Sequence, residues 1–173
     1  EADFRLLVEQ IKERFGRGAT VVQIPGGAGT RSIIDVLRME ELHYPEGERE
    51  PEIREIRDAF RDEAEELHRT LVEDIAENDE SLMELYFEQG ELDEDQMREG
   101  LRAAMIRRQL FPIFVTSATE ALGVSRLMSF IDNVCPSPAA KPAETVEDET
   151  ILADEEADEP LAFVFRTMSE EHV

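Results

Sequence analysis

Residues 111–124 read FPIFVTSATEALGV, and this stretch decides the fold class. The nearly all-apolar run 110–115 is typical of a strand that is covered on both faces. It ends in three small residues, Thr116, Ser117 and Ala118, and an amphipathic run that is typical of a helix follows. In open α/β sheets, loops at the carboxyl ends of strands hold ligands. The pattern also fits an ordinary strand-to-helix turn capped by a serine or threonine.

The rest of the chain predicts alternating helices and strands, and hence an α/β fold. Apolar residues recur at helical spacing in several segments, with Asp3 and Asp93 as N-caps and Gly16 and Gly90 as stops. Segment 31–42 is compatible with either a strand or a helix. The predicted elements are a helix at 2–16, a strand at 19–25, a long helix from Pro51 to Gly90 that Asn78–Asp79 could interrupt, a helix at 94–109 and a helix at 123–135.

Acidic residues dominate the composition. The 173-residue chain has 42 Asp and Glu residues against 18 Lys and Arg, which gives a formal net charge of −24. Such a charge repels phosphate backbones and anionic lipids, so direct nucleic-acid or membrane binding is disfavoured and a partner carrying Lys or Arg is favoured. No apolar run is long enough for a membrane span and no signal peptide is recognisable, so the predicted localisation is cytoplasmic.

The sequence contains no motif for catalysis or metal binding. The glycines of IPGGAGTR (24–31) are not followed by the Lys and Ser or Thr of a phosphate-binding loop, and no D-x-x-G or N-K-x-D occurs. They are interpreted as turn-formers. The three histidines are far apart and the one cysteine, Cys135, has no histidine near it, so neither a metal site nor a catalytic residue is predicted.

Four glutamates recur at spacings of four, three and four in the long predicted helix: Glu73, Glu77, Glu80 and Glu84. On one continuous helix they would lie within about 60° of one another, on a face well away from the apolar one. Like charges at this spacing do not stabilise a helix. The face is therefore either the solvated surface of an acidic protein or a docking site for a lysine-bearing partner, with fast and salt-sensitive association.

The composition changes after Cys135. Residues 136–160 contain four prolines and nine acids, which predicts a linker. A β-type segment begins in 161–173, and a single strand is not a domain. Because the chain also begins within a predicted helix and without an initiator Met, it is expected to be a piece of a longer protein.

Six segments, in the same order and spacing, resemble elongation factor G, the ribosomal translocase. ADFRLLVEQIKERFG is similar to the helix that follows the family's N-K-x-D motif, and VVQIPGGAG with IIDVLRMEEL is similar to the strand and hairpin that enter its inserted G-prime subdomain. ESLMELYFEQGELDEDQMREGLRAAMIRRQLFPIFVTSA resembles the helices of that subdomain and the return strand. NVCPSP and LAFVFR resemble the boundary with the second domain and its first strand.

The resemblance implies an α/β fold that is the C-terminal part of a P-loop GTPase domain with an inserted α+β subdomain. It assigns 1–25 and 109–135 to the GTPase domain, 26–108 to the inserted subdomain, 136–160 to an acidic, proline-rich linker and 161–173 to the first strand of a β-barrel domain.

The resemblance also implies a nucleotide site. Ser117-Ala118 resembles the fifth guanine-nucleotide motif, whose backbone amides meet the guanine oxygen, so Thr116, Ser117 and Ala118 are the candidate nucleotide-binding residues. Thr116 stands where Gly is usual in the family, a departure typical of a divergent second paralogue. The parent would bind GTP or GDP and Mg, whereas this chain lacks the phosphate- and magnesium-binding motifs, so it is predicted to be inactive and to hold no cofactor.

A partner site follows from the same resemblance. Glu73, Glu77 and Glu80 match glutamates that touch the C-terminal domain of the ribosomal stalk protein in this family, so the expected partners are the ribosome and that domain. The alternative is a non-enzymatic acidic interaction module unrelated to GTPases. An N-K-x-D motif encoded just before Glu1 would favour the first interpretation. Translocation and ribosome recycling by the parent both stay open.

Overall fold

The computed structural model describes residues 3–137, 140, 144–146 and 149–151, and those up to Pro136 belong to one compact unit. Its elements are α1 (Phe4–Phe15), β1 (Ala19–Val21), β2 (Gln23–Pro25), β3 (Ser32–Asp35), β4 (Glu40–His43), β5 (Glu52–Arg54), α2 (Asp58–Ala76), α3 (Glu80–Gln89), α4 (Glu94–Ile106), β6 (Phe111–Ile113) and α5 (Val124–Asn133). Both parallel and antiparallel strand pairs occur, so the predicted α/β class is confirmed. No helix in the described part of the chain is long and apolar enough to cross a membrane.

The predicted strand at 19–25 is divided at Val22 between two sheets. β1 pairs with β6 in parallel, whereas β2 joins an antiparallel sheet of order β2-β3-β4-β5. The Val22 N–H donates to the Ile113 carbonyl (3.2 Å), and the Val22 carbonyl accepts from the Val36 N–H (3.0 Å). One residue therefore joins the parallel pair to the antiparallel sheet.

Segment 31–42 forms the β3–β4 hairpin. In its turn the Asp35 carboxylate accepts the Arg38 N–H at 3.0 Å, and Met39 adopts a left-handed conformation with φ 53°. The preceding glycine-rich turn is confirmed as well, because Gly27 and Gly29 have positive φ values of 106° and 70°. Both turns are closed by short local contacts.

The long helix predicted from Pro51 to Gly90 is wrong at its start, and its possible interruption is confirmed. Residues 52–54 form β5, because they pair with β4, and α2 begins only at Asp58. The helix ends at Ala76 and a new one begins at Glu80, so the possible interruption at Asn78–Asp79 is a real break.

Asp79 begins the new helix. Its backbone is extended (φ −148°, ψ 122°), and its side chain accepts the N–H groups of Ser81 at 3.0 Å and Leu82 at 3.3 Å. Such an N-cap supplies acceptors for donors that would otherwise have none, so it favours a new helix over the continuation of the old one.

Asp79→Ala is expected to lower the free energy of unfolding by about 1 kcal/mol, because it removes this cap. The hydrogen bond from Ser81 holds the pKa of Asp79 below its ordinary value of 3.8, so the stabilisation is present above pH 3.8 and is lost as the pH falls through the lower folded-state pKa. Urea unfolding at neutral pH measures the loss. Asp62→Ala, an exposed position inside α2, is the matched control; an equal loss there would contradict the capping role.

The core of the compact unit lies between the strands and helices α2 and α4. Fully buried side chains include Ile34, Val36, Leu71, Ile75 and Leu101. Helix spacing alone predicts two of them, Leu71 and Ile75, on the apolar face of α2.

The strand predicted at 110–115 is shorter and more exposed than its sequence suggests. β6 covers only Phe111–Ile113, and the Phe111 side chain is 47% exposed. The prediction of a strand covered on both faces is therefore wrong for the described residues. β1 alone pairs with β6 among them.

A second unit begins at Ser137. In it β7 (Glu144–Val146) and β8 (Glu149–Ile151) form an antiparallel pair. Both strands fall in the predicted linker 136–160, where the composition predicts none. The other residues of that linker, apart from 136, 137 and 140, lie outside the described residues, as does the predicted strand in 161–173.

Candidate functional site

The loop that follows β6 contains Thr116, Ser117 and Ala118. The Ser117 N–H donates to the Leu122 carbonyl at 3.0 Å, and the Leu122 N–H donates back to Ser117 at 3.1 Å. This pair closes a four-residue turn, in which Ala121 has a positive φ of 55°. The loop is thus a compact turn between β6 and α5.

A buried amide anchors the start of this loop. Gln23 is fully buried, and its side-chain oxygen accepts the Val115 N–H at 3.3 Å. Sequence reasoning missed this residue, although a glutamine inside the apolar run VVQIP is a signal of a polar partner elsewhere in the core. This hydrogen bond holds the start of the loop close to Val22, where the chain passes from one sheet to the other.

Gly123 lies at the end of the loop and packs closely against Val115 at its start. It has a positive φ of 72°, and a Cβ at this position would lie 2.4 Å from the Val115 carbonyl oxygen and 2.9 Å from Cδ1 of Ile33. Neither the backbone conformation nor the space suits a larger residue.

Gly123→Ala is expected to lower the free energy of unfolding by about 2 kcal/mol, from backbone strain together with the steric clash. Gly29→Ala is the matched control, because Gly29 also has a positive φ (70°) but has nothing within 4 Å of the added Cβ. The control should lose only about 1 kcal/mol, the cost of the left-handed conformation. Equal losses in urea unfolding would contradict the close approach to Val115.

The loop contains backbone N–H groups without an acceptor in the described part of the chain. Thr116 and Ala118 are exposed and Ser117 is half-buried. The Ser117 N–H is occupied by Leu122, whereas the N–H groups of Thr116 and Ala118 donate to no acceptor within the described residues. Two free N–H groups on a fixed turn can bind a carbonyl-type oxygen. The carboxylate of this loop, Glu120, is paired with Arg31 at 2.7 Å.

The three glutamates of the predicted partner site meet at the junction of α2 and α3. Glu73 lies in the last turn of α2, Glu77 follows the end of that helix, and Glu80 begins α3. All three are exposed. Because the helix breaks between Glu77 and Glu80, the single helical face predicted from their spacing is wrong; the carboxylates belong to a corner between two helices.

One arginine lies at this corner: Arg107 donates from Nη1 to the Asn78 carbonyl at 2.6 Å. No ion pair forms at Glu73, Glu77, Glu80 or Glu84 in the part of the chain that the structure describes. Glu73 accepts a hydrogen bond from the Tyr86 hydroxyl at 3.3 Å, which links α2 to α3. Burial raises the pKa of the Tyr86 hydroxyl, and the negative charge of Glu73 raises it further. The sequence did not single out Tyr86.

The two groups of predicted site residues stay separate. The structure brings Thr116, Ser117 and Ala118 together in one loop and the three glutamates together at one corner. No hydrogen bond or ion pair joins the two groups within the described residues. They are therefore two independent candidate sites.

Comparison with solved structures finds chains of similar fold. No protein-family model matches the chain. A crystal structure of ttk003000868 from Thermus thermophilus is similar over 80% of this chain, with 25% sequence identity and a TM-score of 0.71. The matched part is 21% of that protein, so this chain spans about a fifth of its length. The similarity supports a distant relationship between the two proteins and the mixed α/β fold.

Proposed function

We propose that the chain is part of a translation-factor-like GTPase related to elongation factor G. In this proposal it forms the end of a P-loop GTPase domain with an inserted α+β subdomain. The observation that carries the proposal is the loop after β6. It presents two backbone N–H groups that donate to no acceptor among the residues described, at the carboxyl end of a strand that is paired in parallel, which is where α/β proteins hold ligands.

Guanine is the ligand that we propose for this loop. The N–H groups of Thr116 and Ala118 flank Ser117 and donate to no acceptor within the described residues, and we assign the Ala118 N–H to the single carbonyl oxygen of the base. GTP or GDP and Mg would be bound by the parent through motifs that this chain lacks. The chain by itself is expected to hydrolyse nothing and to show no saturable GDP binding in a titration; micromolar binding would contradict this division of roles.

The glutamate corner is the proposed docking site for the C-terminal domain of the ribosomal stalk protein. Its support is the concentration of exposed carboxylates at Glu73, Glu77 and Glu80, which form no ion pair with any residue that the structure describes. Unpaired carboxylates attract a partner that carries lysines and speed its association. A parent that works on the ribosome would be cytoplasmic.

Titration calorimetry of the stalk protein's C-terminal domain into the chain, at low and at high salt, tests the docking proposal. Saturable binding that weakens as salt is added is expected, because ions screen exposed charges. No binding at low salt, or an affinity that salt leaves unchanged, would contradict it.

A further inference from the structure

The two ends of the candidate loop pack against one buried apolar cluster. Val115 lies at the start of the loop and Leu122 at its end, and both contact this cluster, whose members are Ile33, Leu42 and Tyr44. The first two belong to the β3–β4 hairpin and the third directly follows it, and none is more than 3% exposed. Both ends of the loop are therefore held by the same hairpin.

Arg31 extends from this hairpin to the middle of the loop. It directly precedes β3, its carbonyl accepts the Tyr44 N–H at 2.8 Å, and its Nε donates to the Tyr44 carbonyl at 3.1 Å. Its Nη1 donates to Glu120 Oε2 at 2.7 Å. Because Nε is already bound to the hairpin backbone, the planar guanidinium offers Nη1 to the carboxylate in a fixed direction.

The tip of the loop, residues 118–121, has little other support. The Ser117–Leu122 backbone pair closes the turn below it, and the Ser117 and Thr119 hydroxyls are 3.4 Å apart, which is long for a hydrogen bond. Among the described residues, Arg31 alone joins the tip to a residue outside the loop by a hydrogen bond or an ion pair. The conformation of the tip therefore depends on the Arg31–Glu120 pair.

We propose that Arg31 is a positioning residue for the candidate loop: through Glu120 it holds the turn that carries the Ala118 N–H in one conformation. The inference rests on the proposed function for its ligand, a guanine base, but not for its effect on the loop. An exposed ion pair usually contributes little, because two long side chains must be ordered. Here Tyr44 already orders the arginine, so only the glutamate side chain loses its freedom.

Amide hydrogen exchange of the full chain, followed by NMR, tests the effect on the loop. Glu120→Ala should speed the exchange of the Ser117 and Leu122 N–H groups by about fivefold, because the closed turn loses its support. The Val36 N–H, bonded to another part of the chain, should exchange as in the wild type, which separates local opening from a loss of global stability. Unchanged rates at both loop amides, or equal acceleration at Val36, would overturn the proposal.

Two further variants assign the effect to the pair with Arg31. Glu120→Gln keeps an oxygen that accepts from the guanidinium, so it should restore part of the protection lost in Glu120→Ala. Arg31→Met should also speed exchange, and Glu120→Ala added to it should have no further effect, since the two residues act as one unit. Fully additive effects would show that each residue acts alone and would refute the positioning role.

Glu52→Ala is the matched control. The Glu52 side chain is 56% exposed, close to the 58% of Glu120, and it too is paired with one arginine. Its removal should leave the exchange of both loop amides unchanged. Acceleration equal to that in Glu120→Ala would mean that any lost carboxylate loosens the loop, which is contrary to the proposal.

GDP titration of the longer polypeptide, extended upstream of Glu1, shows whether positioning reaches the ligand. Glu120→Ala should weaken GDP binding by about fivefold, because the loop must be ordered again when the base binds. Wild-type affinity in this variant would overturn the proposal. If the wild-type polypeptide binds no GDP, the guanine site fails instead, and hydrogen exchange alone decides whether Arg31 positions the loop.

Discussion

Arg126→Met is expected to lower the free energy of unfolding by about 3–5 kcal/mol, because it leaves Asp35 and Glu40 without their shared positive partner. Both carboxylates lie at the β3–β4 hairpin, with side chains 6% and 20% exposed. Methionine keeps most of the hydrophobic stem, so lost packing contributes little. The loss would show that one ion-pair cluster holds α5 to the hairpin.

The loss in free energy of unfolding caused by Arg126→Met should be smaller at acidic pH. Burial already raises the pKa of Asp35 above 3.8 in the folded state, and removal of Arg126 raises it further. A carboxyl with a raised folded-state pKa binds more protons when folded, so stability falls as the pH rises from 3.8 through that raised value. The variant therefore loses most at neutral pH and recovers part of the difference as Asp35 becomes protonated.

Urea unfolding at neutral and mildly acidic pH measures both effects. Arg54→Met removes an exposed arginine paired with Glu52 and should cost less than about 1 kcal/mol at either pH. Addition of Asp35→Asn to Arg126→Met should recover part of the loss, because it removes a buried charge. A loss in Arg126→Met no larger than that in Arg54→Met would contradict the stabilising role of the cluster.

Reversal of the glutamate corner should abolish most of the proposed docking. In the triple variant Glu73→Lys, Glu77→Lys and Glu80→Lys, each change replaces an attraction with a repulsion. At roughly 1 kcal/mol per exposed charge, the affinity for the stalk protein's C-terminal domain falls by about 100-fold. The fold should be retained, because the three side chains are exposed and make no ion pair within the described residues. Titration calorimetry at low salt measures the affinity.

A charge-matched control separates local docking from the field of the whole protein. Glu9→Lys, Glu13→Lys and Glu65→Lys change the net charge by the same amount at exposed positions on α1 and α2. Binding by this control should weaken only slightly. If it weakens as much as the corner variant does, at equal helix content, the glutamate corner has no specific role.

The helix ends were the most predictable part of the fold, because capping is local. Asp3 and Asp93 cap helices and Gly16 and Gly90 end them, as their sequence neighbours indicate. The division of the strand at Val22 was not predictable, since it depends on which distant strand pairs with each half. The same holds for β5, which is a strand because β4 lies beside it.

The candidate loop was predictable in position but not in structure. The residues on either side of Ser117 predict the order of strand, small residues and helix. Its anchor, Gln23, lies 92 positions from Val115 in sequence, and the two partners of Arg126 lie in the β3–β4 hairpin. Such pairings depend on the folded topology, which one sequence does not reveal. The domain limits at 25/26 and 108/109 stay predictions.

A fluorescence titration of labelled GDP measures most directly whether the loop at 116–118 meets a guanine base. It requires the longer polypeptide, extended by the upstream coding sequence that we expect to carry N-K-x-D and the phosphate-binding loop. We predict saturable binding that favours GDP over ADP, is lost in Ala118→Pro because proline has no N–H, and is retained in Ala118→Ser. Absence of binding, equal binding of ADP, or full affinity in Ala118→Pro would contradict the proposed guanine site.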